Sequence, residues 1–244
     1  VQAGIDEAGR GPVVGPLVVA GVMVEDPARL AEMGCRDSKM LTPAKREAID
    51  RRLRADPAVR IEVRAIPPEV LDAERQRRSL NDIEAERFNS IALALQPDLL
   101  FVDAADVDAR RFGRAVAKGL PRRTKVVSEH KADDSYPVVG AASIVAKVAR
   151  DAAIAELARR LERRLEMPLG SGYAHDERTQ HFLRAWYARF GDLPEGTRRS
   201  WATVDDIVAP KPVPLDAFLE PRPARLVPPP AGAVPAPTPA PLLD

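Results

Sequence analysis

The chain has 244 residues, of which 45% are hydrophobic and 5% aromatic, enough for one substantial core with a small appendage. Its 37 Lys and Arg stand against 36 Asp and Glu, so the net charge of +1 excludes a general basic field and leaves nucleic-acid affinity to local clusters. No apolar run is long enough to span a bilayer, and the single cysteine, Cys35, excludes an internal disulfide and a Cys-rich zinc site.

Strands are predicted near residues 1–8, 13–24, 59–66, 98–103 and 124–128, with helices between them. The strand pattern starts almost at Val1, so no signal peptide is expected, and the lone thiol fits a reducing cytoplasm. The first strand runs into Gly4-Ile5-Asp6-Glu7-Ala8-Gly9-Arg10-Gly11-Pro12, two adjacent carboxylates ahead of an arginine bracketed by glycines. A dinucleotide-binding turn needs a helix after its glycines, whereas Leu17-Val18-Val19-Ala20 continues as a second apolar strand. Thr42 and Pro43 open a helix, and Asn81 or Asp82 opens another whose apolar face carries Phe88, Ile91, Ala92 and Leu95. The longest helix is predicted from about Ala141, with the stripe Ile154, Leu157, Leu161 and Leu165, until Pro168 and the Gly170-Ser171-Gly172 turn end it. A helix capped by Asp176 carries Phe182, Leu183, Trp186, Tyr187 and Phe190, whose helical spacing reads as core rather than a base-stacking platform.

Two more strand patterns end in acids: Leu99-Leu100-Phe101-Val102-Asp103, and Val126-Val127-Ser128-Glu129 followed by Asp133. Functional groups of an α/β sheet gather at strand ends, so four carboxylates from distant parts of the sequence can meet at one edge. Clustered carboxylates repel, and burial makes this worse, unless divalent cations lie among them. Oxygen-only ligands suit Mg²⁺ or Mn²⁺, while three histidines, His130, His175 and His181, are too scattered for zinc. Arg110, Arg111, Arg114, Lys118, Arg122, Arg123 and Lys125 form the densest basic cluster, which reads equally as a solvated helix face or a nucleic-acid contact.

Seven motifs in order carry a family resemblance over roughly residues 1–205: the segment from Gly4 to Pro12, Asp37-Ser38-Lys39, Val102-Asp103-Ala104-Ala105-Asp106-Val107, Glu129-His130-Lys131-Ala132-Asp133, Ala141-Ala142-Ser143-Ile144-Val145-Ala146-Lys147, Gly170-Ser171-Gly172-Tyr173 and Arg198-Arg199-Ser200-Trp201. The chain resembles the type 2 ribonucleases H, ribonuclease HII, in their archaeal branch. The resemblance implies an α/β fold of the ribonuclease H-like kind, a mixed five-stranded sheet flanked by helices with a small helical C-terminal extension. It divides the chain into a catalytic core over 1–165, a helical extension over 166–208 carrying the Gly-Ser-Gly-Tyr motif, and a proline-rich tail over 209–244. It further implies a monomeric, cytoplasmic endoribonuclease that cuts RNA in RNA-DNA hybrids and at ribonucleotides embedded in duplex DNA, leaving 5′-phosphate and 3′-hydroxyl ends.

By the same resemblance Asp6, Glu7, Asp103 and Asp133 are the catalytic carboxylates and hold two Mg²⁺ or Mn²⁺ ions. Gly9, Arg10, Gly11, Lys39, Ser143, Lys147 and Tyr173 meet the substrate, with the glycines and Tyr173 at the ribose 2′-hydroxyl. Glycines can bring backbone close to a sugar because they lack Cβ. Asp37, Asp106 and Asp134 match no ligand position. Two competing readings are a binding module that recognises hybrids without cutting them, which predicts loss of a metal carboxylate, and a different metal nuclease on the same fold, which lacks the two glycine motifs.

Half of the 24 prolines fall between Pro210 and Pro241, a composition that cannot pack a core and predicts an extended tail. Within it Leu215, Phe218 and Leu219 form an isolated apolar triplet. The spacing is similar to a degenerate form of the short motif by which replication enzymes dock onto the sliding clamp, PCNA, and reads otherwise as a chance apolar turn in a linker.

Overall fold

The computed structural model describes residues 1–35 and 40–209. Five strands form one sheet: β1 (Gln2–Ala8), β2 (Leu17–Val24), β3 (Arg60–Ile66), β4 (Leu99–Asp103) and β5 (Lys125–Glu129), in the order β3-β2-β1-β4-β5. β1 pairs antiparallel with β2 and parallel with β4, β2 pairs antiparallel with β3, and β4 pairs parallel with β5. The sheet is therefore mixed, as expected, and the C-terminal ends of β1, β4 and β5 share one edge.

Side-chain alternation gives the sheet two apolar faces. Ala3, Ile5, Leu17, Val19, Leu100 and Val102 face α4 (Leu80–Leu95) and α5 (Ala109–Val116) in one cluster. Val18, Ala20, Val22 and Val24 join Val138, Ala142 and Val145 of α7 (Pro137–Leu165) in the other, with α1 (Ala28–Glu32) and α2 (Pro43–Ala55). Gly4 lets α7 lie directly on β1, since a Cβ there would come within 2.3 Å of the Val138 carbonyl carbon. A third cluster joins Val13, Val14 and the end of α7 to α8 (Glu177–Phe190) and α9 (Ala202–Val208). The remaining short helices are α3 (Pro68–Arg75) and α6 (Ala132–Ser135).

Four details differ from the sequence expectation. β2 begins at Leu17 instead of residue 13, because Val13 and Val14 donate their amides to the Gly172 carbonyl and Gly15 then turns with φ of 94°. α4 is capped by Ser79, which forms a capping box with Asp82, so Asn81 lies inside the helix. α7 starts at Pro137, where a missing amide costs nothing, and its β-branched Val138 and Val139 pack under Gly4. In α8, Phe182, Leu183 and Trp186 are core as predicted, whereas Tyr187 and Phe190 are 42% and 39% exposed. Among the described residues no helix is long and apolar enough to cross a membrane.

Candidate active site

Parallel pairing sets Ile5 opposite Val102, so one residue further Asp6 and Asp103 leave neighbouring strands together on the face that α7 covers. Asp133 comes from the first turn of α6, reached through Lys131 in the left-handed conformation at φ of 59°. The amides of Lys131 and Ala132 donate to the Asp103 carboxylate and tie the two segments. One carboxylate oxygen each from Asp6, Asp103 and Asp133 lies within 4.8 Å of the others. Glu7 stands outside that triad, lining the adjoining groove, and its Oε2 is buried without a hydrogen-bond partner.

Burial raises the Asp6 carboxyl, opposed by its hydrogen bonds from Ser143 and from the Glu7 amide and then by the Lys147 charge. Glu7 is pushed well above the usual carboxylate range by burial, then by Asp6 and Asp103, with Arg10 opposing. Asp103 is pushed up to about 6 by burial and by its neighbours Asp6 and Asp133. Each of these groups holds charge reluctantly because it is removed from water beside other carboxylates. Oxygen-only donors, close and mutually repelling, fit hard divalent cations, and the orphaned Glu7 oxygen adds a further donor.

A groove of about 460 Å³ adjoins the acids, lined by Glu7, Gly9, Arg10, Gly11, Lys147 and Tyr173 together with Arg46 and Arg150. Gly9 has φ of 86°, and a Cβ there would meet the Pro16 carbonyl oxygen at 2.7 Å; one on Gly11 would face the Tyr173 ring at 3.9 Å. The two glycine motifs, far apart in sequence, thus meet across one opening. Ser143 is wholly buried one turn before Lys147, whose Nζ donates to its Oγ at 2.7 Å. Arg10 reaches away toward α4, donating to Asn81 Oδ1 at 2.7 Å and pairing with the fully buried Glu84. Lys39 and Asp37 lie outside the described residues.

Asp106 is buried away from the triad, accepting from Arg111 Nε at 2.9 Å and from the Asp108 amide at 3.0 Å, while Asp134 is an exposed neighbour of Asp133 in α6. Arg111 is thereby committed to a structural pair, and the rest of the basic cluster is exposed along α5 and the loop after it. The sequence reading missed Arg46, Arg150, Asn81 and Glu84. Arg150 follows Lys147 by three positions and Ser143 by seven, so the face of α7 already in use pointed to it. Asn81 was read only as a helix start, and nothing around Glu84 signalled a buried ion pair.

A sequence model of ribonuclease HII matches residues 3–204. The chain belongs to the ribonuclease HII family. It is 42% identical over 211 residues to ribonuclease HII of Thermococcus kodakarensis, covering 84% of this chain and 88% of that one. The structure of the PCNA:RNase HII complex from Archaeoglobus fulgidus contains a chain 41% identical, with a TM-score of 0.76, covering 89% of this chain and 100% of that one. Ribonuclease H2 from Pyrococcus horikoshii OT3 matches with a TM-score of 0.75 at 39% identity, over 85% of this chain and 96% of that one. The protein is accordingly a metal-dependent hydrolase, an endoribonuclease acting on RNA-DNA hybrids.

Proposed function

We propose that this enzyme incises duplex DNA at single embedded ribonucleotides as well as RNA in longer hybrids, and leaves 5′-phosphate and 3′-hydroxyl ends. The observation that carries the reading is the junction of two parts. Three clustered carboxylates, Asp6 and Asp133 buried and Asp103 half-buried, stand beside a groove whose walls are the Gly9–Gly11 turn and Tyr173. Carboxylates alone would serve any metal nuclease, whereas a cofacial glycine turn and tyrosine suit a sugar edge bearing a 2′-hydroxyl.

Asp6, Glu7, Asp103 and Asp133 would hold two divalent cations, Mg²⁺ or Mn²⁺. When bound, such a pair supplies a more acidic water and charge stabilisation at the departing 3′-oxygen. The chain's own residues orient the substrate. Tyr173 and the Gly9–Gly11 backbone would meet the ribose, and Lys147, bonded to Ser143 in the groove lining, would meet a phosphate approaching the acids. With its side chain attached inward, Arg10 would contribute through the backbone of its turn. Lys39 completes the phosphate contacts by resemblance.

In the cell this activity serves ribonucleotide removal and primer processing by a cytoplasmic monomer. The Archaeoglobus fulgidus relative forms a complex with PCNA. Leu215, Phe218 and Leu219, outside the described residues, are the segment through which this chain would dock on such a clamp.

The deciding experiment uses three labelled duplexes that differ only in carrying no ribonucleotide, one ribonucleotide, or a continuous RNA strand. Cutting of the second and third, but not the first, in Mg²⁺ or Mn²⁺ is expected. Cutting of the all-DNA duplex at the same rate would overturn the reading.

A further inference from the structure

Two buried arginines, Arg198 behind the Gly9–Gly11 turn and Arg150 in the lining of the groove, are not used by the chemistry above. Arg198 is wholly shielded from solvent and is the largest side chain so buried. Among the described residues no carboxylate lies within ion-pair distance of it, and its guanidinium instead donates to backbone. Nε reaches the Gly15 carbonyl at 2.9 Å, Nη1 the Arg10 carbonyl at 3.0 Å and Nη2 the Gly9 carbonyl at 2.5 Å. Its face rests 4.8 Å from the centre of the Trp201 ring. Burial, and after it Arg150, push the guanidinium down to about 9, which leaves it charged at neutral pH.

Arg150, on α7, is 7% exposed and donates from Nη2 to the Ser171 carbonyl at 3.1 Å. Its guanidinium lies 5.2 Å from the centre of the Tyr173 ring. A Cβ on Gly9 would touch Arg150 Cδ and Nε at 3.0 Å, so the first arginine grips the Gly-Arg-Gly turn and the second underlies both turns. Main-chain bonds join the same segments, from the Val13 amide to the Gly172 carbonyl at 2.8 Å and from the Arg198 amide to the Val13 carbonyl at 2.8 Å.

A buried cation without a carboxylate is expensive, and an apolar side chain would fill this space at lower cost. What no apolar side chain supplies is a planar fork of donors aimed at three carbonyls at once. The consequence lies on the other side of each peptide plane. In a trans peptide the carbonyl and the next amide point opposite ways. Turning the Gly9 and Arg10 carbonyls toward Arg198 turns the Arg10 and Gly11 amides away from it, and neither amide has a partner among the described residues.

We infer that Arg198, seconded by Arg150, is a positioning residue for ribose selectivity: it aims the Arg10 and Gly11 amides and sets their separation from Tyr173. This rests on the reading that the Gly9–Gly11 turn and Tyr173 meet the ribonucleotide. Arg198 touches no reacting atom. Its effect therefore appears as a change in which duplex is cut, and leaves metal binding alone.

The test measures kcat/KM of the full chain on a duplex with one ribonucleotide and on a continuous RNA-DNA hybrid, with Mn²⁺ affinity from calorimetry alongside. Arg198→Lys keeps the charge and loses the fork. The ratio of single-site to hybrid cutting should fall at least about tenfold, with Mn²⁺ affinity within about twofold of wild type. In a Tyr173→Ala background the same change should move the ratio less than about threefold, since the group being aligned is gone. An unchanged ratio, or a parallel fall on both duplexes that tracks a drop in Tm, overturns the inference and makes Arg198 a structural brace only. If Arg198→Lys does not fold, Arg150→Lys decides by the same ratio: a fall supports the inference and an unchanged ratio overturns it. Wild type that fails to incise at the ribonucleotide sinks the functional reading and this inference together, whereas wild type that incises, with variants that keep its ratio, sinks the inference alone.

Discussion

Arg10 and Asn81 lie 71 positions apart and share a hydrogen bond of 2.7 Å between the guanidinium and the amide oxygen. That bond, with the ion pair to Glu84, makes a side chain expected to meet the substrate into a tether between the first glycine turn and α4. Glu84 is fully buried, and Arg10 is the one cation paired with it among the described residues.

Glu84→Gln should therefore weaken the fold. Breaking a buried pair typically costs about 3–5 kcal/mol, and partial exposure of Arg10 brings the expected loss nearer to about 2 kcal/mol. Urea unfolding monitored by tryptophan fluorescence measures it. A shift below about 0.5 kcal/mol would mean that the tether is idle.

Asp103→Asn should abolish incision and leave the fold intact, because an amide of the same volume removes charge from the cation site. In chelator the variant should melt above wild type, since repulsion among Asp6, Asp103 and Asp133 is relieved. Near wild-type cutting in Mg²⁺ or Mn²⁺ would remove Asp103 from the metal set.

The metal-free protein should respond to pH in the opposite sense to a typical salt-bridged fold. Asp103 moves from an ordinary value of 3.8 up to about 6, so its protonated form is favoured by folding. The stability this contributes is fully present below the unfolded value and is lost as pH rises through about 6. Tm in chelator should rise as pH falls from neutrality to about 5. Saturating Mn²⁺ should abolish or reverse that slope, and an identical slope with and without metal would contradict the assignment.

Tyr173→Ala should depress cutting at a single ribonucleotide far more than Mn²⁺ affinity, because the ring faces Gly11 rather than the carboxylates. Tyr173→Phe separates hydroxyl from ring: loss of selectivity in both variants assigns the work to the hydroxyl, and loss only in the alanine variant assigns it to stacking. A parallel collapse of metal affinity and cutting would make the residue structural.

Phe218→Ala should remove binding to the sliding clamp while cleavage of free duplex stays at the wild-type rate. Calorimetry of the peptide from Lys211 to Arg222 against the clamp, with no heat and no competition against a known clamp ligand, would rule docking out.

What the sequence determined by itself was local or periodic. Apolar β-type runs marked all five strands, and Thr42-Pro43 and Asp176 marked helix starts, because strand propensity and capping are settled by neighbours in the chain. The acids at strand ends were legible for the same reason: a run of apolar residues closed by Asp103 has its carboxylate at the sheet edge whatever surrounds it. Tertiary structure alone decided the rest. It diverted Val13 and Val14 from β2 to Gly172, turned Arg10 inward to Asn81 and Glu84, and buried Arg198 against Gly9 from 189 positions away. Each of these depends on which distant carbonyl or carboxylate arrives beside a side chain, and a linear sequence carries no record of that distance.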